Sequence, residues 1–138
     1  MVGKKIMQIL DRKRVIAAVI EKNGLFLLAQ RGKQDFCYGK WEFPGGKVEG
    51  SETDQECLAR ELHEEFGIHA IIGHHLCDVP FEHKNIAYVM RAYHVPFFTG
   101  ELTLTEHLQI NWVSVSNLSS YSVPDPDKPI IAYLQEKI

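Results

Sequence analysis

Glu61, Glu64 and Glu65 fall within about one helical turn of the stretch "ARELHEEFGI", Ala59 to Ile68. Carboxylates three and four residues apart on a helix repel one another. Near the carboxyl end of a helix they also oppose the macrodipole. Taken in isolation, three such residues read first as a solvated surface face. The other reading is chemical. Clusters of carboxylate oxygens suit hard divalent cations such as Mg²⁺ or Mn²⁺, and a cation would relieve both the repulsion and the unfavourable dipole.

The elements that must position these residues can be traced along the chain. Thr53 followed by Glu56 has the spacing of a capping box, which predicts a helix from Asp54 to Phe66. Gly67 suits the left-handed position that ends it. At 100° per residue, Leu58, Ala59, Leu62 and Phe66 share a side expected to be buried, and the three glutamates occupy a different arc. Upstream, "VIAAVI" and "LFLLAQ" flank "EKNG" as two strands joined by a tight turn. "RGKQDFCYGKWEFPGGKVEG" reads as a loop with exposed aromatics. Downstream, "AIIGHHLCDV", "IAYVMRAYHVPFF" and "LQINWVSV" each read as a strand, the last with Ile110, Trp112 and Ser114 on one face. "PDPDKPIIAYLQEKI" reads as a proline-rich turn into a final helix with Asp127 at its N-cap. The order predicts one domain over residues 1–138, a mixed α/β fold with a sheet between helices.

Composition agrees. At 138 residues the chain has room for one core, and 45% hydrophobic with 24% charged residues matches a water-soluble globular protein. A net charge of −3 leaves no broad basic surface for duplex nucleic acid. "MVGKKIMQILDRKR" has no apolar run suited to a signal peptide or a membrane span, so a cytoplasmic protein is expected. Three cysteines without CxxC spacing fit reduced thiols. A zinc site built from His74, His75, Cys77, His83 and His94 matches no standard spacing.

The wider pattern decides between the two readings of the glutamates. Gly46 is followed after five residues by Glu52, and seven more residues precede Arg60-Glu61; Leu62, Glu64-Glu65, Gly67 and Ile68 complete it. This is the whole Nudix box, G-x5-E-x7-R-E-U-x-E-E-x-G-U with U aliphatic. The chain resembles Nudix hydrolases, the bacterial MutT type in particular, over residues 13 to 135. The resemblance implies the Nudix fold and hydrolysis of a nucleoside triphosphate to the monophosphate and pyrophosphate, with Mg²⁺ or Mn²⁺ supplying charge stabilisation and a more acidic water.

The same resemblance assigns metal ligation to Glu61, Glu64, Glu65, the main-chain carbonyl of Gly45, and Glu106 in the loop before the last strand. Glu106 could equally be an ordinary loop acid. Glu61 is the leading candidate to take the nucleophile's proton, with Glu106 second. Arg60 and Glu52 would organise the box by ion pairing, and Gly46 would permit a backbone geometry closed to other residues. Arg31 and Lys47 are candidates for phosphate contact or plain surface cations. Phe43, within "EFPGGK", lines the base pocket or belongs to the core.

Where MutT reads the purine edge with an asparagine, this chain has Asp127. An ionised carboxylate accepts from an exocyclic amine such as cytosine N4 but cannot donate; a protonated one could still read an oxidised purine. "LLAQR", "WEF" with "GGKVE", "AYHVPFFTG" and "EHLQINW" resemble the CTP pyrophosphohydrolase branch. The expected substrates are therefore 8-oxo-dGTP or cytosine nucleotides, with a role in nucleotide-pool sanitation or pyrimidine turnover. ADP-ribose hydrolysis and a non-catalytic Nudix module are the alternatives; the latter commonly lacks box glutamates that this chain keeps. A monomer or weak dimer is expected.

Overall fold

The continuous apolar runs of the first two strands, "VIAAVI" and "LFLLAQ", require a sheet covered on both faces. In the computed structural model, which describes residues 11–33 and 36–137, β1 (Lys13–Lys22) and β2 (Leu25–Gln30) are joined by Asn23-Gly24. Both turn residues have positive φ, 53° and 77°, which a tight hairpin demands and Asn-Gly readily adopts. Ile16, Ala18, Ile20, Leu27 and Ala29 point to one core cluster, and Ala17, Val19, Phe26 and Leu28 to the other. The reading of Met1 to Leu10 as neither signal peptide nor span lies outside the described residues. Among the described residues no helix is long and apolar enough to cross a membrane.

Two helices cover those faces. α1 (Asp54–Phe66) contributes Cys57, Leu58, Leu62 and Phe66 to one cluster. α2 (Lys128–Glu136) contributes Ile130, Ile131 and Leu134 to the other. The result is the expected mixed sheet between helices.

Partner exchange along β1 creates the site. One edge of β1 pairs in parallel with β7 (Ile86–Val95), which pairs antiparallel with β6 (His75–His83). On the other edge, Glu21 and Lys22 pair with β2, while Val15 to Ala17 pair with β4 (Gly45–Lys47). β2 goes on to pair with β3 (Trp41–Glu42) and β9 (Ile110–Val113). A cavity opens where β1 and β2 part, lined by Val15 to Ala17, Arg31 and Glu42 to Gly45, Pro44 excepted.

Several local expectations need correction. The segment read as loop contains β3 and β4, because those short runs complete the edges left by β2 and β1. Phe36 and Tyr38 in it are exposed, but Phe43 is buried in the core. "AIIGHHLCDV" divides into β5 (His69–Ile71) and β6, and "IAYVMRAYHVPFF" into β7 and β8 (Phe97–Thr99), interrupted at Pro96; β5 and β8 form a separate ribbon. Ser114 lies beyond the end of β9. Ala59 is only half-buried, and Cys57 fills the core on that side of α1.

Candidate active site

Capping fixes where the acidic residues stand. Thr53 Oγ1 accepts the Glu56 N–H at 3.1 Å, and Glu56 Oε1 accepts the Thr53 N–H at 2.9 Å. At the far end Gly67, at φ 72°, donates its N–H to the His63 carbonyl at 2.9 Å. Glu61, Glu64 and Glu65 therefore lie in the last two turns of α1.

Arg60 ties the box together by ion pairing and hydrogen bonds. Its Nε donates to Glu52 Oε2 at 2.7 Å and its Nη2 to Glu52 Oε1 at 3.0 Å. Nη1 reaches Glu61 Oε1 at 3.0 Å and Glu64 Oε2 at 3.3 Å, and Nη2 reaches the Lys47 carbonyl at 3.3 Å. The guanidinium, with help from the Glu49 N–H, pulls the Glu52 carboxyl down to about 2. Glu61 moves the other way: burial raises it, Arg60 opposes, and Glu64 and Glu106 add to the rise.

Glu65 departs from the sequence reading. It is not on an exposed arc but only 9% exposed, between the helix and the cavity. Burial, then the fields of Glu61, Glu42, Glu106 and Glu64, push its carboxyl up to about 9. Its Oε2 has no hydrogen-bond partner among the described residues. A buried carboxylate oxygen left this way is unfavourable.

The two glycines act through space rather than through φ. Neither is among the residues with positive φ; the backbone path at Gly46 is one that a side chain would block by its bulk. A Cβ on Gly46 would lie 2.4 Å from the Glu61 carboxyl carbon, and one on Gly45 would lie 1.8 Å from the Ile16 carbonyl oxygen. The strand thus passes close against α1, and the Glu61 carboxylate occupies the room left by a missing side chain.

These features fit a divalent metal. The donor set is all oxygen, Glu65 carries an unsatisfied buried oxygen, and Glu61 sits in a glycine cradle. Among the described residues the side chains do not converge into a ready cluster of three ligands. Arg60 holds Glu61 and Glu64 aside, and its attraction is the one a cation would replace.

The cavity, about 1170 Å³, is lined by Arg31, Phe43, Gly45, Gly46, Lys47, Glu65, Glu106 and Asp127. Most of the candidate site residues therefore meet in one place. Glu61 borders it through Gly46, whereas Glu64 is largely exposed and is not among the lining residues. Lys47 reaches over the Tyr88 ring at 5.4 Å. Arg31 pairs with Glu42 at 3.0 Å and lies 5.2 Å over the Phe36 ring, so its charge faces a carboxylate as well as any ligand. Phe43 proves to be both core and cavity wall.

Asp127 also needs correction. It stands at the N-cap position of α2, yet its side chain makes no capping bond. Instead Oδ2 accepts the Phe43 N–H at 3.0 Å. The residue is 3% exposed. Burial pushes its carboxyl up to about 7, the Phe43 N–H opposing, Glu42 adding and Arg31 opposing.

Two further residues escaped the sequence reading. Glu42 accepts from Arg31 and from His107 Nε2 at 2.8 Å, and His107 stacks on Phe66 with centroids 5.2 Å apart. Glu42 lies within the "EFPGGK" run and His107 follows Glu106, so proximity to assigned residues was the only signal.

Comparisons with known proteins agree with this geometry. The sequence pattern of the NUDIX domain matches residues 10–134. The chain is 40% identical over 117 residues to the CTP pyrophosphohydrolase of Escherichia coli K12, covering 85% of this chain and 87% of that one. It is 34% identical over 126 residues to the 8-oxo-dGTP diphosphatase of Haemophilus influenzae, covering 88% and 92%. The solution structure of the E. coli ORF135 protein superposes with a TM-score of 0.84 at 38% identity, covering 91% of this chain and 89% of that one.

Proposed function

The chain belongs to the NUDIX family, and from that premise we propose that it hydrolyses cytosine nucleoside triphosphates to the monophosphate and pyrophosphate. It is a MutT-like pyrophosphohydrolase of nucleoside triphosphates; the base is the finer question. The single observation that carries the cytosine reading is Asp127, buried in the cavity wall with Oδ2 on the Phe43 N–H. Above about pH 7 this group is ionised and acceptor-only, which matches an exocyclic amine such as cytosine N4.

Glu61, Glu64, Glu65, Glu106 and the Gly45 carbonyl would hold Mg²⁺ or Mn²⁺. The ion would supply positive charge against the phosphates and acidify water. The chain's own groups do the rest. Glu61, made more basic by burial, accepts the proton of the attacking water, and Arg60 keeps its carboxylate aimed along the Gly46 cradle. Lys47 and Arg31 meet the phosphates, and Phe43 packs against the base. The cavity is large enough for a whole nucleotide.

Hydrolysis of 8-oxo-dGTP is the second reading, favoured by the same raised carboxyl. Below about pH 7 Asp127 carries a proton and can donate to a purine edge. Pyrophosphate release with Mg²⁺ from CTP, dCTP, 5-methyl-dCTP, dGTP, 8-oxo-dGTP and ADP-ribose, run at pH 6 and pH 8.5, separates them. The expected result is a dominant rate on cytosine substrates and a cytosine-to-8-oxoguanine ratio that rises with pH. A dominant rate on 8-oxo-dGTP at both pH values makes the second reading correct. Fastest turnover of ADP-ribose overturns both.

A further inference from the structure

The loop from Gly100 to Gln109, between β8 and β9, carries Glu106 and has one buried residue, His107. Elsewhere the backbone of this loop is pinned at its two ends. The Thr103 N–H donates to the Phe66 carbonyl at 2.9 Å, and Leu108 and Gln109 exchange backbone hydrogen bonds with Gln30, both at 2.9 Å. Glu106 lies between these pins, on an exposed bend. Its neighbour His107 is the side chain that fastens the bend inward.

The fastening is an odd one energetically. An imidazole with 5% of its side chain exposed is less favourable than an aliphatic anchor unless its nitrogens are paired. Nε2 is paired, with Glu42 at 2.8 Å, but Nδ1 has no partner among the described residues. A leucine would have held the bend without leaving an orphan nitrogen. What only the histidine provides is a simultaneous ring stack on Phe66 and a hydrogen bond to Glu42. Phe66 adjoins Glu65 on α1, and Glu42 stands beside Phe43, whose N–H holds Asp127. One side chain therefore joins the acidic end of α1, the loop acid and the wall that carries the base-reading carboxylate.

From this junction we infer that His107 is a positioning residue: its bond to Glu42 and its stack on Phe66 hold the Glu106 bend so that the loop carboxylate faces Glu65 across the cavity. The inference rests on the reading of Glu106 as a metal ligand. Groups that orient ligands without touching the metal commonly alter affinity or activity by roughly 10–100-fold when removed, and His107 belongs to that kind.

The test compares His107→Phe, which keeps the stack and deletes the hydrogen bond, with His107→Gln, which keeps a donor, beside Glu106→Gln and the double variant His107→Phe/Glu106→Gln. Binding of Mn²⁺ without nucleotide is followed by electron paramagnetic resonance of the free ion. The kcat and KM of pyrophosphate release are measured separately, and thermal melts without metal report folding. His107→Phe is expected to melt near the parent, bind Mn²⁺ roughly 10-fold more weakly and lose kcat by a similar factor with little change in KM. His107→Gln is expected to recover part of both, and the double variant to be no worse than Glu106→Gln alone, since residues acting as one unit are not additive.

Parental Mn²⁺ binding and kcat in His107→Phe overturn the inference, as does an effect that merely follows a collapsed melt or adds fully to that of Glu106→Gln. A Glu106→Gln variant that binds Mn²⁺ and turns over like the parent removes the loop acid from the site, and His107's role with it. The carboxylates of α1 would stand untouched by any of these failures, because they are tested by their own substitutions.

Discussion

The two ends of α1 treat their carboxylates in opposite ways. At the N-terminal end Asp54, 4% exposed, accepts from Arg14, from Arg91 Nη1 at 2.6 Å and from the Tyr93 hydroxyl at 2.6 Å. It also sits where the helix dipole favours an anion. At the C-terminal end three glutamates face the unfavourable pole, two of them share the guanidinium of Arg60, and Glu65 Oε2 has no partner among the described residues. One end is electrostatically closed and holds the helix on the sheet. The other is open, and its deficit is one positive charge or more. The protein tolerates the open end because the closed end, the cap and the apolar face of α1 carry its stability.

Breaking the open end should abolish chemistry while sparing the fold. Glu61→Gln is expected to lower kcat by about 10²–10⁴-fold, the range for a lost general base, with a metal-free melting temperature at or above the parent's. Steady-state pyrophosphate release beside a thermal melt checks it; near-parental turnover would remove Glu61 from the chemistry. Gly46→Ala should act on the same carboxylate more mildly. The new methyl collides with the flexible end of Glu61, so roughly 10–100-fold is expected from kcat, with a small change in stability.

Breaking the closed end should do the reverse. Asp54→Ala leaves two guanidiniums and a buried hydroxyl without their shared acceptor. About 2 kcal/mol of stability should be lost, below the usual figure for a broken buried pair because both arginines keep about a third of their surface in water. Urea unfolding measures this. At a temperature where the variant is still folded, kcat should stay within a few-fold of the parent.

The smallest effect sharpens the contrast through pH. Glu65 titrates at about 9 in the fold against 4.5 normally, so the folded protein keeps a proton there that the unfolded chain has lost. The contribution of this group to stability is full below about pH 4.5 and declines as pH rises towards 9. Unfolding in EDTA should show this decline, and saturating Mg²⁺ should flatten it by replacing the proton. Glu65→Gln should flatten it without metal. An unchanged slope in that variant would mean that Glu65 is ionised in the fold and already satisfied.

Local spacing was enough for much of this. Thr53, Glu56 and Gly67 fix the ends of α1 through contacts three or four residues long, and the box residues lie close enough in the chain for their order to encode their geometry. The Arg60–Glu52 pair, eight residues apart, was legible for the same reason. The apolar runs of β1 and β2 marked them as strands, and the order of strands and helices along the chain announced a mixed sheet between helices.

Tertiary structure decided the rest. A helical wheel placed Glu65 among its charged neighbours, but the fold buries it beside the cavity, and burial raised its carboxyl to about 9. Asp127 carries the signature of a cap, yet Phe43, 84 residues away, offers a buried N–H that needs an acceptor. His107 looked like one of seven unassigned histidines until folding brought Glu42, 65 residues distant, to its Nε2. Sequence patterns report what neighbours along a helix or strand can do for one another. Desolvation, and the choice among distant partners, exist only once the chain has closed around a cavity, and those two effects set the charge and the aim of the carboxylates that line it.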